Sequence, residues 1–456
     1  QKAHSMNILI QGGRVINPAS GLDTQADIAI ANGRIAAIGD LPRDFAPDTT
    51  LPAHGRLVLP GLVDLAARLR EPGPHGHMLE SEMAAATRGG ISSLVCPPDT
   101  EPVLDEPGLV EMLKFRSARL QQARLFPLGA LTRQLQGEAL TGMAELTESG
   151  CIGFSQADLP IQNTRILQRA MQYAATFGYT VWLRPLEPWL GAGVAASGAL
   201  ATRMGLSGVP VLAETLAIMT IAELMAATGA KVHICRLSSA AGVELVRQTR
   251  ARGLPMTCDV SINSLHLCET DIGYFDSRAR LTPPLRSASD RAALRAALRD
   301  GVIDALVSDH TPVDADEKIL PFSDATPGAT GLELLLSLAL QWAQTDQIAL
   351  PQALAAVTYR PAQILGAELG ASTTASATST DADSTGSTNV RKGIGQLLPG
   401  GVADLCIVDP DARWQVSEHT LHSHGKFTPF EGQLLPGRVT HTLVDGRIVF
   451  AAEANG

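Results

Sequence analysis

Apolar and polar positions follow two different rhythms along this chain, and the change of rhythm divides it. From Asn7 to about Val58, short apolar runs such as Ile8-Leu9-Ile10, Ala26-Asp27-Ile28-Ala29-Ile30 and Arg34-Ile35-Ala36-Ala37-Ile38 are separated by turn residues, among them Gly12-Gly13 and Asn32-Gly33. Asn-Gly between apolar runs predicts a hairpin, because both central positions of the tight turn need positive φ. The same rhythm returns at 403–409 and 442–449, so the two ends are expected to pair into one β-sandwich. Between about Pro60 and Gly366, strand-like runs (Ser92–Cys96, Gly178–Leu183, Lys231–Cys235, Asp304–Ser308) alternate with helical stretches such as 213–228 and 291–299. Repeated βα units over roughly 300 residues predict an α/β fold, a parallel (β/α)8 TIM-like barrel. No G-x-G-x-x-G fingerprint supports the rival, an open doubly wound sheet. The expected division is 6–58 and 393–456 for the sandwich, 59–369 for the barrel and 370–392 for a low-complexity insertion. Residues 371–389 are nearly all Ser, Thr, Ala and Asp, too little apolar surface to offset ordering entropy, and read as a mobile insertion or an interaction tail.

Composition narrows the function. A chain of 456 residues that is 45% hydrophobic and 18% charged is an ordinary globular protein. Its net charge of −10 argues against a nucleic-acid or anionic-membrane partner, either of which favours a basic face. The six cysteines, Cys96, Cys151, Cys235, Cys258, Cys268 and Cys406, form no C-x-x-C pair and are expected to be reduced, buried and inert. With no run of about 18 apolar residues and no signal pattern, a cytoplasmic protein starting naturally at Met6 is expected.

Candidate chemistry begins with Leu57–Asp64, a buried strand leading into Asp64-Leu65-Ala66-Ala67-Arg68-Leu69-Arg70-Glu71-Pro72-Gly73. Further landmarks are Thr282-Pro283-Pro284-Leu285-Arg286, Ser308-Asp309-His310-Thr311-Pro312, Glu317-Lys318 and Pro327–Glu333. Together these resemble the type I dihydroorotases of the amidohydrolase superfamily over nearly the whole barrel and its flanks. The resemblance implies a zinc centre at the carboxyl ends of the barrel strands, built on His-x-His at the positions of Ala66 and Arg68. It implies an Asp-Asp pair after Phe154-Ser155, where Gln156-Ala157 stand and Asp158 follows. Two more histidines are implied where Arg184 and Arg236 stand, and Asp309 alone is retained.

A guanidinium has five donors and no lone pair, so no arginine replaces a histidine ligand. A catalytic zinc needs about three protein ligands and an open position, and one carboxylate falls short. Two unit charges at about 4 Å repel by about 4 kcal/mol at an effective dielectric near 20, so the arginines also oppose a cation. They are expected either to pair with Asp309 and tie the strand ends together, or to form an anion pocket of Arg68, Arg184 and Arg236. No lysine lies between Lys114 and Lys231 to supply a hydantoinase-type carbamylated bridge. Substrate positions implied by the family are altered too. Arg70 matches the carboxylate-gripping arginine, but Asp99 and Thr282 stand for asparagines and Val313 for a histidine.

Other histidines suggest little. His75 and His77 have metal-like spacing on a loop, His419, His422 and His424 read as solvated, and His310 as a packed remnant. Cys96 and Cys235 end strands without an activating base in view and read as buried small hydrophobes.

The resemblance implies a catalytically inactive dihydroorotase-like subunit, with no catalytic residue, metal or cofactor expected. Its partner would be the catalytic subunit of aspartate transcarbamoylase, in an oligomer serving pyrimidine biosynthesis. The enzyme alternative is a cyclic-amide hydrolase with a non-standard zinc site drawing on Asp158, Asp309, His75 or His77. The third reading is a regulatory module that captures an anion on its arginines.

Overall fold

Alternate burial explains why the two chain ends meet. Ile8, Ile10 and Val15 of Ile8–Asn17 and Ile28 and Ile30 of Leu22–Ala31 pack with Leu405, Ile407 and Leu443 from the other end. The computed structural model describes residues 6–69, 78–366 and 393–453. In it these strands form an eight-stranded sheet in the order Arg447–Ala451, Leu434–Val444, Leu405–Gln415, Leu57–Pro60, Ile8–Asn17, Leu22–Ala31, Arg34–Ile38, with Thr49–Pro52 on the other edge of Ile8–Asn17. The shared apolar cluster closes the sheet on itself as a sandwich. Leu57–Pro60 is the seam, parallel to Ile8–Asn17 and antiparallel to Leu405–Gln415. The terminal sheet therefore runs to Pro60, past the expected boundary at Val58. The stretch 370–392 lies outside the described residues.

Both hairpin turns use the dipeptides that positive φ demands. Asn32 and Gly33 sit at φ 53° and 74°, and Asp445 and Gly446 at 50° and 68°. The turns are packed back to back, so that a Cβ on Gly446 would stand 2.7 Å from the Gly33 Cα. Gly446→Ala is expected to destabilise the protein by about 1–3 kcal/mol through strain and overlap. Urea unfolding measures it, and a loss below about 0.5 kcal/mol would mean that the turns separate freely.

Eight parallel strands make the barrel: Leu62–Asp64, Ile91–Cys96, Arg124–Pro127 continued by Gly129–Ala130, Phe154–Ser155, Thr180–Leu183, Lys231–Ile234, Met256–Ser261 and Ala305–Val307. Ala67 bridges to His310 and closes the ring, with the Arg68 N–H donating to the His310 carbonyl and the His310 N–H to that of Ala66. Helices cover the outer face of the strands and side chains fill the barrel interior, which is why the strands read as continuous apolar runs. Thr164–Phe177 starts at Asn163, whose side chain accepts from the Arg165 N–H, and stops at Gly178 with φ 74°.

Val211–Thr228 is the one helix, among the described residues, long and apolar enough to cross a membrane by length and composition. It is the helical stretch expected at 213–228, and Glu214 and Glu223 break its apolar run. Glu214 shows where the helix belongs: it is buried and accepts hydrogen bonds from the backbone and hydroxyl groups of both Ser238 and Ser239 in the next βα unit.

Candidate functional site

Parallel strands that all end on one face deliver their following residues to a common layer. Asp64, fully buried at the end of the first strand, accepts from the backbone and hydroxyl of Ser308 and from the Ala66 N–H, and so locks the first strand end to the last. Above it the Arg68 guanidinium reaches Asp99 at 2.8 Å and Asp158 at 2.7 Å, and donates to the Thr311 hydroxyl at 3.2 Å. Arg184 lies 3.7 Å from the other Asp158 oxygen. Arg236 meets Asp259 at 3.4 Å and Asp309 at 3.9 Å. The Arg236 N–H also donates to Asp259 at 2.7 Å, which pins this residue at φ 58°. Asp259 further binds His233 Nε2 at 2.9 Å, while His233 Nδ1 meets the Thr257 hydroxyl at 2.8 Å. A carboxylate only accepts, so Nε2 carries a proton. Arginine–carboxylate contacts thus join the ends of every barrel strand except the third.

The sequence-level pairing with Asp309 is corrected here. Among the described residues only Arg236 forms an ion pair with it; the partners of Arg68 and Arg184 are Asp99 and Asp158, and Asp259 is the nearer partner of Arg236. Electrostatics follow the geometry. Burial works against the charge on Asp158, but Arg68, Arg184 and Arg236 outweigh it and hold the carboxyl below its usual range. Asp259 is likewise held low, burial being overcome by Arg236 and His233. Asp309 has weaker compensation: burial pushes it up to about 6, and the pull of Arg236 only partly offsets this.

Tested against zinc, this donor set does not fit. Ala66 offers no ligand atom, and Arg68, Arg184 and Arg236 offer only donors where imidazoles would be needed. His233, Cys235 and Asp259 do bring potential ligand atoms within 4.8 Å of one another. Both His233 nitrogens are already engaged, however, and the Arg236 guanidinium rests on the same Asp259 oxygen. Burial also pushes the Cys235 thiol up to about 12, and thiolate is the form that binds metal.

The remaining candidates take structural places. Gln156 is buried, accepting from the Thr132 hydroxyl and donating to the Leu135 carbonyl. Thr282, partly buried in the loop after Met256–Ser261, has no side-chain hydrogen bond among the described residues. Arg70, His75 and His77 lie outside the described residues. His310 is fully buried, with Nε2 2.6 Å from Glu82, whose carboxylate also accepts from the Ser423 hydroxyl and the His424 N–H. His419, His422 and His424 are exposed. All six cysteines are buried free thiols. Lys318 is buried too and donates to the carbonyls of Arg280, Thr326 and Gly328, so the Glu317-Lys318 landmark staples a loop.

Asp259 escaped the sequence reading. Its signal was a carboxylate in an otherwise buried strand, Met256–Ser261, where an ionised side chain needs a partner.

Comparison with known proteins agrees with this architecture. Residues 55–241 match the dihydro-orotase-like family and residues 190–450 an amidohydrolase family. A dihydroorotase-like protein of Pseudomonas aeruginosa is 41% identical over 97% of this chain and 99% of its own length. One from Pseudomonas putida is 39% identical over 98% and 100%. A dihydroorotase of Trichlorobacter lovleyi is 34% identical over 98% and 100%. Among solved structures, L-hydantoinase from Arthrobacter aurescens superposes with a TM-score of 0.81 at 23% identity, covering 98% of this chain and 96% of that one, a likeness of fold. The chain belongs to the dihydroorotase-like family of the amidohydrolase superfamily.

Proposed function

We propose that this chain is a catalytically inactive dihydroorotase homologue acting as a structural or regulatory subunit of aspartate transcarbamoylase. The observation that carries the inactive reading is the layer of ion pairs at the strand ends. Guanidiniums occupy the volume where metal ligands would converge, and their carboxylate partners are spent on them. A chain kept for folding rather than turnover would hold its strand ends together in this way, since removing a fully buried partner such as Asp259 leaves a charge poorly compensated. The transcarbamoylase partner rests on the resemblance to family members that lack zinc ligands.

The experiment has two arms. Elemental analysis and a dihydroorotase assay with added zinc are expected to give no stoichiometric metal and no turnover; about one tightly held zinc with turnover would overturn the inactive reading. Co-expression with the aspartate transcarbamoylase catalytic chain, read by light scattering, is expected to give a stoichiometric complex. Separate elution of the two chains would overturn the subunit role alone. The rival reading, an active dihydroorotase with a non-standard metal site, draws on the relatives named dihydroorotase and on Asp309 at the last strand end.

A further inference from the structure

Arg184 differs from the other two arginines of the layer. Its side chain is only 7% exposed, yet it makes no hydrogen bond among the described residues, and its nearest carboxylate oxygen stands at 3.7 Å. Burial lowers the affinity of Arg184 for its proton despite Asp158, whereas carboxylates raise that of Arg68 and Arg236 against the same burial. Arg280, near enough for the two charges to oppose each other, leaves its Nε buried without an acceptor among the described residues. A buried, under-neutralised guanidinium is costly unless something pairs with it.

Arg184 also lines a cavity of about 200 Å³ between the helices Thr164–Phe177 and Val211–Thr228. It is the one cation among the described residues lining this space, where Leu167, Leu183, Leu186, Leu216 and Ile221 stand beside polar Gln156, Gln162, Thr164 and Thr220. Trp189, 78% exposed, stands at the rim. Glu187 lies there too, one carboxylate oxygen held at 2.7 Å by the Leu190 N–H.

We propose that this cavity binds a small monocarboxylic acid, its carboxylate on Arg184 and its hydrocarbon body against Leu167, Leu216 and Ile221. A guanidinium presents a planar fork matched to a carboxylate, and the pairing strengthens where water is excluded. A cavity of about 150 Å³ takes a benzene molecule, and this one, of about 200 Å³ and open to solvent at Leu159 and Trp189, has room for a ring or branched chain of similar size. Glu187 sets the charge, since a second anionic group near the rim would meet it at short range. The proposal holds whether or not the chain turns over a substrate.

The test uses the full chain and cyclohexanecarboxylate, with cyclohexylmethanol as its uncharged counterpart, followed by tryptophan fluorescence. Trp189 is the exposed reporter, the other tryptophans being buried. Saturable binding of the acid is expected in the millimolar range or tighter, and at least about tenfold weaker binding of the alcohol. Arg184→Met should weaken the acid about tenfold or more. Ala217→Phe, which fills the cavity and leaves the charge in place, should do the same while circular dichroism shows the fold intact. The proposal is overturned if the acid does not saturate, if acid and alcohol bind alike, or if binding survives in folded Ala217→Phe.

Discussion

Replacing Asp259 by alanine is expected to destabilise the protein by about 3–5 kcal/mol, the usual consequence of removing one partner from a buried ion pair. Asp259 has no exposed surface, and its two oxygens serve His233, the Arg236 backbone and the Arg236 guanidinium. Its loss would leave a buried cation, an imidazole N–H without an acceptor and a left-handed Arg236 without its pin. Arg236→Met in the same background should restore part of the loss, because it removes the stranded charge. The double variant is expected to fall short of the summed single effects by about 0.5–3 kcal/mol, the coupling that residues of one network show. Urea titration of the four proteins measures this. Additive effects, or a loss below about 1 kcal/mol for Asp259→Ala, would mean that the layer does not hold the strand ends.

That layer shows where sequence reading reached and where it stopped. The barrel was legible because its strands are short apolar runs separated by helical stretches, and the sandwich because Asn32-Gly33 and Asp445-Gly446 sit between apolar runs at both ends. The strand-end places of Ala66, Arg68, Arg184 and Arg236 were legible too, since each follows a recognisable strand. Partner identity was not. Arg68 and Asp158 are 90 residues apart and meet through the stagger of non-adjacent strands, which local periodicity does not encode. Asp158 was in view only as a possible metal ligand, and Asp99 only as the residue standing for a substrate-binding asparagine; three-dimensional proximity makes both of them counterions of Arg68. Glu82 went unremarked because its pairing with His310 and with the 423–424 segment spans the chain.

A metal-binding layer and an ion-pair layer place opposite demands on the same strand ends. Ligands around a metal must leave an open position, whereas guanidiniums and carboxylates are most stable when each donor finds an acceptor. Arg68 meets that condition with three acceptors, and Arg236 with two carboxylates. Asp309 does not, so its charge is tolerated less well than those of Asp158 and Asp259 in the same layer.

Asp309→Asn is accordingly expected to stabilise the protein near pH 8 by about 2–3 kcal/mol, the free-energy equivalent of raising a carboxyl from its usual 3.8 to about 6. The sign follows from which form the fold prefers. A carboxyl held above its unfolded value is favoured when protonated, so no penalty exists below about pH 4; it grows as pH rises from about 4 to 6 and stays constant above that. Wild type should therefore lose stability relative to Asp309→Asn across that window, and the two should converge near pH 4. Backbone strain does not confuse the comparison, because Asp309 sits at φ 52° and asparagine accepts the left-handed region as readily as aspartate. Urea midpoints at pH 4, 6 and 8 would reveal the trend. A variant less stable than wild type at pH 8 would show instead that Arg236, 3.9 Å away, depends on this carboxylate as a partner. The expected result would mean that an ionised Asp309 is a burden at the end of the last strand, unlike Asp259, whose charge holds its neighbours in place.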